Sequence, residues 1–248
     1  PGSAVLSYGV NSVSGYNPPD AAFAASGDTS IANIYTTFGG SSLTTFSNLV
    51  GSETLAVTGS GTVSSGNVGT GKSITLGTLS LANGSGSASN YSLSNANLDI
   101  TKRALTLIGS KIYDGNKTFQ GNEITTFNNI VGSETLSVSG SGTVSSENVG
   151  SSKALAIGGF SLVDNSGLAS NYSISSATAN ITQRPVNITG SRAYDSTRTA
   201  SGSDLSFTNL VTGQTLGLTG NGTVASKNVG SNKAITDVSL TLTDGLGL

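Results

Sequence analysis

The residues able to do chemistry in this chain are few. Its 248 residues hold 13 Asp and Glu, 11 Lys and Arg and 7 Tyr, with no His, Cys, Met or Trp. That inventory excludes a Ser-His-Asp or Cys-His nucleophile system, a thiolate or imidazole zinc site and a disulfide framework. Carboxylate chemistry is left, such as glycoside hydrolysis by paired acids. The acids that recur, Glu53 and Glu134, stand in repeated positions that read as structural. The chain is therefore read as non-catalytic. Calcium would need clustered carboxylates. No Asp-x-Asp-x-Asp-Gly loop occurs, and Asp164-Asn165-Ser166-Gly167 aligns with Ala82-Asn83-Gly84 upstream, so no metal or other cofactor is expected.

A sharper chemistry attaches to Lys72, Lys153 and Lys233, which keep one spacing. A buried Lys condensed with an Asn side chain beside a carboxylate would stiffen a chain without Cys. The acid should then recur with the Lys, yet Glu53 and Glu134 give way to Gln214. The simpler reading is a solvated Lys whose stem lies along apolar surface.

These positions recur because the chain is a tandem array. Val50-Gly51-Ser52-Glu53-Thr54-Leu55 returns as Val131-Gly132-Ser133-Glu134-Thr135-Leu136 and as Val211-Thr212-Gly213-Gln214-Thr215-Leu216. Asn67-Val68-Gly69 returns at Asn148 to Gly150 and Asn228 to Gly230, spaced by 81 and then 80 residues. Joins fall at Ile100-Thr101-Lys102-Arg103 and Ile181-Thr182-Gln183-Arg184. The array divides into residues 1–102, a divergent first module with an irregular opening, a complete module over 103–183, and a third module over 184–248 that lacks its closing motif. With almost no linker, neighbouring modules should have restricted angles.

Within a unit, apolar residues alternate in short runs: Leu105 and Leu107, Leu136 and Val138, Leu155 and Ile157, Phe160 and Leu162, Tyr172 and Ile174, Ala179 and Ile181. Period two broken by Gly, Asn and Ser predicts six or seven antiparallel strands. Ile124, Phe127 and Ile130 fit one helical turn instead. The expected fold is all-β, an array of small antiparallel β-sandwich (Ig-like) modules forming an elongated rod. Only 35% of the chain is hydrophobic, below the usual share of roughly 45 to 50%, so each core must be thin. A net charge of -2 with scattered cations gives no basic stripe for nucleic acid. No apolar run is long enough for a membrane helix. The opening Pro1 and the absence of Met read as a fragment of a longer polypeptide, and the absence of Cys suits an exported chain.

Three motifs stand in fixed order. They are Tyr113-Asp114-Gly115, then Asn148-Val149-Gly150 with Lys153, then Asn171-Tyr172-Ser173 before Asn180-Ile181-Thr182. The third unit keeps Tyr194-Asp195 and Asn228-Val229-Gly230; the first keeps Asn67-Val68-Gly69 and Asn90-Tyr91. This order resembles the YDG-type glycine-rich module, found in tandem in large bacterial secreted and surface proteins, including filamentous-haemagglutinin-like adhesins. The resemblance implies an extracellular place, on the outer surface or secreted, and a stalk or adhesive filament.

Each motif also has a local reading. Asp114 and Asp195 should accept bonds from backbone amides ahead of them, with Gly115 at positive φ and the Tyr ring capping the core. Ser196, in place of that glycine, argues against a required left-handed residue. Asn148, Gly150, Asn228 and Gly230 should form a loop with its Val inserted, and Asn171 should satisfy loop backbone while Tyr172 covers the core. The expected partners are neighbouring modules, with glycan, matrix polysaccharide or a host-cell surface beyond them. The alternative function is a carbohydrate- or matrix-polysaccharide-binding module of a biofilm adhesin, with Tyr8, Tyr16 and Tyr35 as its platform.

Overall fold

The computed structural model describes residues 2–6, 37–40, 43, 46–236 and 239–245. Tyr8, Tyr16 and Tyr35 lie outside the described residues. The chain is made of β-strands in small, mostly antiparallel sheets joined by turns, with no α-helix among the described residues.

The first repeat holds β1 (Gly2–Leu6), β2 (Thr37–Gly39), β3 (Phe46–Ser47), β4 (Leu55–Thr58), β5 (Ser60–Val63), β6 (Gly69–Thr75), β7 (Ser80–Asn83) and β8 (Tyr91–Ile100). The middle repeat holds β9 (Arg103–Ile112), β10 (Thr118–Gln120), β11 (Ile124–Asn128), β12 (Leu136–Thr143), β13 (Gly150–Ala154), β14 (Phe160–Asp164) and β15 (Tyr172–Thr182). In the third are β16 (Ile188–Gly190), β17 (Thr199–Ser201), β18 (Leu205–Phe207), β19 (Gly217–Thr219), β20 (Asn221–Val224), β21 (Ile235–Thr236) and β22 (Thr241–Thr243).

The middle repeat shows the plan, with sheets ordered β11-β9-β15-β13 and β10-β12-β14. In the first repeat β1 takes the place of β9, running parallel to β8 and antiparallel to β3. The opening Gly2–Leu6 thus forms a strand of this sheet, while 7–36, the rest of the opening expected to be irregular, lie outside the described residues. The third repeat forms β16-β18, β17-β20-β21 and β19-β22. By Cα packing the chain falls into two compact units, residues 1–105, 129–136 and 162–173 in one, and 106–128, 137–161 and 174–248 in the other.

One glycine per repeat shapes this plan. Gly59, Gly140 and Gly220 have φ of 81°, 82° and 89°. A Cβ there would stand 2.1 Å from Thr78 O, 1.9 Å from Gly159 O and 2.2 Å from Ser239 O. No other residue fits a left-handed position so close to a facing backbone carbonyl. The bend lets one stretch of chain serve two neighbours: β4 pairs with β7, while β5 pairs with β2 and β6.

Alternation builds the core as the sequence predicts. Leu105, Leu107, Phe119, Ile181 and Ala179 are within 2% of full burial. Along β9 the inward set is Leu105, Leu107, Gly109 and Lys111, so period two carries a lysine to the buried side. In the first repeat Leu43, Val57, Val63, Leu79, Ala96 and Leu98 form one cluster. The residues expected as a helical turn behave differently. Gly121–Glu123 form a short 3-10 turn and Ile124–Asn128 a strand. A capping box explains the change: the Gln120 amide donates to Glu123 Oε2 at 2.7 Å, which fixes the turn early and releases Ile124 into the ladder with β9.

The third repeat is thinner. Val186, expected to open its first strand, precedes it, since Pro185 brings no amide proton and β16 starts at Ile188. Ile188 is 38% exposed where its counterpart Leu107 is fully buried. Leu107→Ala should cost about 2 to 5 kcal/mol, whereas Ile188→Ala should cost under about 1 kcal/mol. Urea unfolding of both variants checks the contrast, and equal losses would contradict it.

Candidate functional site

The recurring polar residues hold turns and joints, and each can be built from its neighbours. Lys111 reaches the end of β9 with its ammonium turned inward, 9% exposed. Its Nζ donates to Asp114 Oδ2 at 3.0 Å, Asn116 O at 2.8 Å and Thr118 O at 2.8 Å, and stands 4.8 Å from the Phe119 ring centre. Asp114 Oδ1 accepts from the Asn116 amide at 2.9 Å, as expected of the turn. Burial works against the Asp114 charge, but the Lys111 ammonium and the Asn116 amide outweigh it and hold its carboxyl below the usual range.

In the third repeat Arg192 replaces Lys111, pairing with Asp195 and donating to Thr197 O at 2.9 Å. Asp195 accepts from the Thr197 amide at 2.8 Å, and the Arg192 hydrogen bond is the main cause that lowers its pKa to about 2. Gly115 has φ 74° and Ser196 φ 65°. The left-handed residue is thus kept without glycine, contrary to expectation, because the ion pair and the Asp195 bonds hold the turn.

The tyrosine of this motif, half-buried at Tyr113, also reaches beyond its own repeat. The Tyr113 hydroxyl accepts from Gln214 Nε2 at 2.5 Å, in the following repeat, and Tyr194 is 60% exposed. A Cβ on Gly115 would stand 2.9 Å from Val211 Cγ1, so glycine also admits the next repeat's loop.

The closing tyrosine meets expectation and adds a partner the sequence did not reveal. Tyr172 is 3% exposed. Its hydroxyl donates to Glu134 Oε2 at 2.5 Å and accepts from the Val131 amide at 3.2 Å. Tyr91 repeats this with Glu53 and the Val50 amide. Glu53 and Glu134 are therefore anchors for a phenol. The recurrence of Glu with Tyr 38 residues later was the signal available.

Asn171 satisfies loop backbone, but of the preceding repeat. Its Oδ1 accepts from the Val68 amide at 2.9 Å and its Nδ2 donates to Asn67 Oδ1 at 3.0 Å. The Asn-Val-Gly loop thus serves as a joint. Its valine is half-buried at Val68 and exposed in the later repeats, Val149 at 49% and Val229 at 90%.

The recurring lysines are not simply solvated. A Cβ on Gly69 or Gly150 would stand 2.9 Å from Cε of Lys72 or Lys153, and one on Gly230 3.3 Å from Lys233 Cε. The glycine makes room for the lysine stem. Lys72 Nζ donates to Ser65 O at 3.2 Å, and Lys233 Nζ to Ser226 O at 2.7 Å and to Asn228 O. Backbone carbonyls are thus the partners seen where an isopeptide would need a side-chain amide. Asp164, weighed as a calcium ligand, accepts from the Ala169 amide at 2.6 Å, just as Asn83 accepts from Ala88 at 2.8 Å. Among the described residues no three carboxylates gather into a metal-binding group.

Burial first, then the Glu134 carboxylate, pushes the Tyr172 hydroxyl up to about 12. In the unfolded chain a tyrosine ionises near about 10. The raised folded value means this stabilisation is whole below about pH 10 and is lost as pH rises toward about 12. The urea midpoint should stay level to about pH 10 and then fall, and Tyr172→Phe should flatten that fall. An equal fall in the variant would remove Tyr172 as its cause.

A family model for the YDG domain matches residues 29–98, 101–180 and 178–247. No curated protein and no solved structure matches the chain significantly.

Proposed function

Since the chain belongs to the YDG domain family over most of its length, we propose that it is a non-catalytic stalk region of a bacterial cell-surface or secreted adhesin, its repeats extending or forming part of an adhesive filament. In this reading each complete repeat closes as a small Ig-like β-sandwich and the repeats line up as a rod. The observation that carries it is the joint in which Asn171 of the middle repeat grips Asn67 and the Val68 amide of the first. Only Thr101 and Lys102 separate β8 from β9, so a covalent and a side-chain tie act together. Directional bonds at such a joint restrict the angle between neighbours, which a spacer needs and a flexible tether lacks.

The distribution of polar groups favours the same reading. Lys111, Asp114, Glu134, Tyr172 and Asn171 are all engaged in internal or joint bonds. What the repeats turn outward is mainly Ser, Thr and Gly, a surface of low charge.

Solution scattering of the whole chain should give an elongated profile, and a glycan and matrix-polysaccharide screen should give no saturable binding. A compact profile would sink the stalk reading, and saturable glycan binding would favour the carbohydrate-binding alternative.

A further inference from the structure

Two asparagines in the chain precede a glycine, in Asn83-Gly84 and Asn221-Gly222. Such a pair can modify itself, because a glycine nitrogen, with no side chain beside it, is free to approach the asparagine side-chain carbonyl. The two pairs stand in different surroundings. Asn83 is the exposed last residue of β7, where the chain turns toward the 3-10 turn Ala88–Asn90. Asn221 opens β20 and lies in a ladder, opposite Ser201, with Gly222 opposite Ala200. Its carbonyl is held again by the Ser239 amide at 2.9 Å and hydroxyl at 3.0 Å. A Cβ on Gly222 would stand 2.2 Å from Ile235 Cγ2, so that strand is also closely packed.

We propose that Asn83 is a self-modifying site, which loses its side-chain amide while the chain is folded. The Gly84 nitrogen attacks Asn83 Cγ and a C–N bond forms. The Cγ–Nδ2 bond breaks, and the amide leaves as ammonia with the proton given up by Gly84. Water then opens the cyclic imide, adding hydroxyl to one carbonyl carbon and returning a proton to the nitrogen. Opening at Cγ leaves aspartate; opening at the main-chain carbonyl leaves isoaspartate, with a methylene added to the chain path.

The turn favours this step. Asn83 Oδ1 accepts from the Ala88 amide at 2.8 Å, a donor that polarises the carbonyl and meets the negative charge that forms on the oxygen during attack. The Gly84 amide donates to Gly86 O at 3.2 Å, within the turn itself, so freeing it breaks no ladder bond. Glycine is also demanded there, since a Cβ on Gly84 would stand 2.4 Å from Thr54 O. The residue that the turn requires is thus the one with an unhindered nitrogen.

The other repeats show that the turn accommodates a carboxylate. Asp164 and Asp244 stand at the matching position. Asp164 Oδ1 accepts from the Ala169 amide at 2.6 Å, closer than at Asn83, as a charged acceptor does. The surrounding turn is the same, with the Gly86 amide donating to Thr54 O and the Gly167 amide to Thr135 O, both at 3.0 Å. Loss of the amide therefore brings the first repeat to the state in which the other two are made.

The assignment stands apart from the stalk reading. Its test incubates the whole 248-residue chain at mildly alkaline pH, folded and in urea, and follows the mass change from amide to acid in peptides after digestion. In the folded chain the peptide holding Asn83 should convert at least about tenfold faster than the one holding Asn221, whose ladder must first open. In urea the two should convert alike. Asn83→Asp should match or exceed the parent chain in urea midpoint, because the charged acceptor holds the Ala88 amide more strongly. Absence of conversion at Asn83 in the folded chain, equal conversion at Asn221, or a lower midpoint for Asn83→Asp would each overturn it.

Discussion

The closing strand is the constraint on which each complete repeat depends. In the middle repeat β15 stands between β9 and β13, buries Tyr172, Ala177, Ala179 and Ile181, and anchors the Val131–Glu134 loop through one hydroxyl. Its first residues also reach the preceding repeat through Asn171. One element therefore completes a sheet, fills a core, fixes a loop and sets a joint. The third repeat gives the contrast. Among its described residues Ala200 is the single buried apolar residue, and Ile188 and Leu242 stand exposed.

A thin core places more of the burden on polar groups. Buried polar atoms stabilise only when partnered, and Lys111 shows how fully that is met: a carboxylate, two carbonyls and an aromatic face surround one ammonium. The arrangement also explains the fixed spacing. A cation three residues before Asp114 lies on the same turn as the carbonyls it satisfies, and Arg192 keeps that relation to Asp195. Glycines contribute by absence, making room for a lysine stem at Gly69 and Gly150 and for a facing carbonyl at Gly140.

Much of the strand pattern was legible because period two acts locally. Leu105, Leu107, Ala179 and Ile181 are buried where alternation puts them, and the Asp114 turn follows from Asp and Gly alone. The role of Lys111 required carrying the same alternation one step further, to a residue whose type suggests exposure. Contacts between repeats were less accessible. The Asn171 bond to Val68 spans 103 residues and the Gln214 bond to Tyr113 spans 101; recurrence shows that such positions matter without showing what they touch. The exposure of Val149 and Val229, where an inserted valine was expected, was hidden for the same reason, since the loop's partner lies in the neighbouring repeat. The platform suggested at Tyr8, Tyr16 and Tyr35 falls outside the described residues.

The parallel pairing of a repeat's first and last strands, seen where Gly2 to Leu6 follow Tyr91 to Ala96 in one direction, has a mechanical consequence. Tension drawn through the two ends of such a repeat pulls these strands in opposite senses along their length. The ladder is loaded in shear, with its bonds strained together, whereas a hairpin pulled at its open end peels one bond at a time. Resistance to force is governed by the unfolding rate more than by equilibrium stability. A chain with a thin core and no disulfide can in this geometry withstand a pull that its modest apolar content would not suggest.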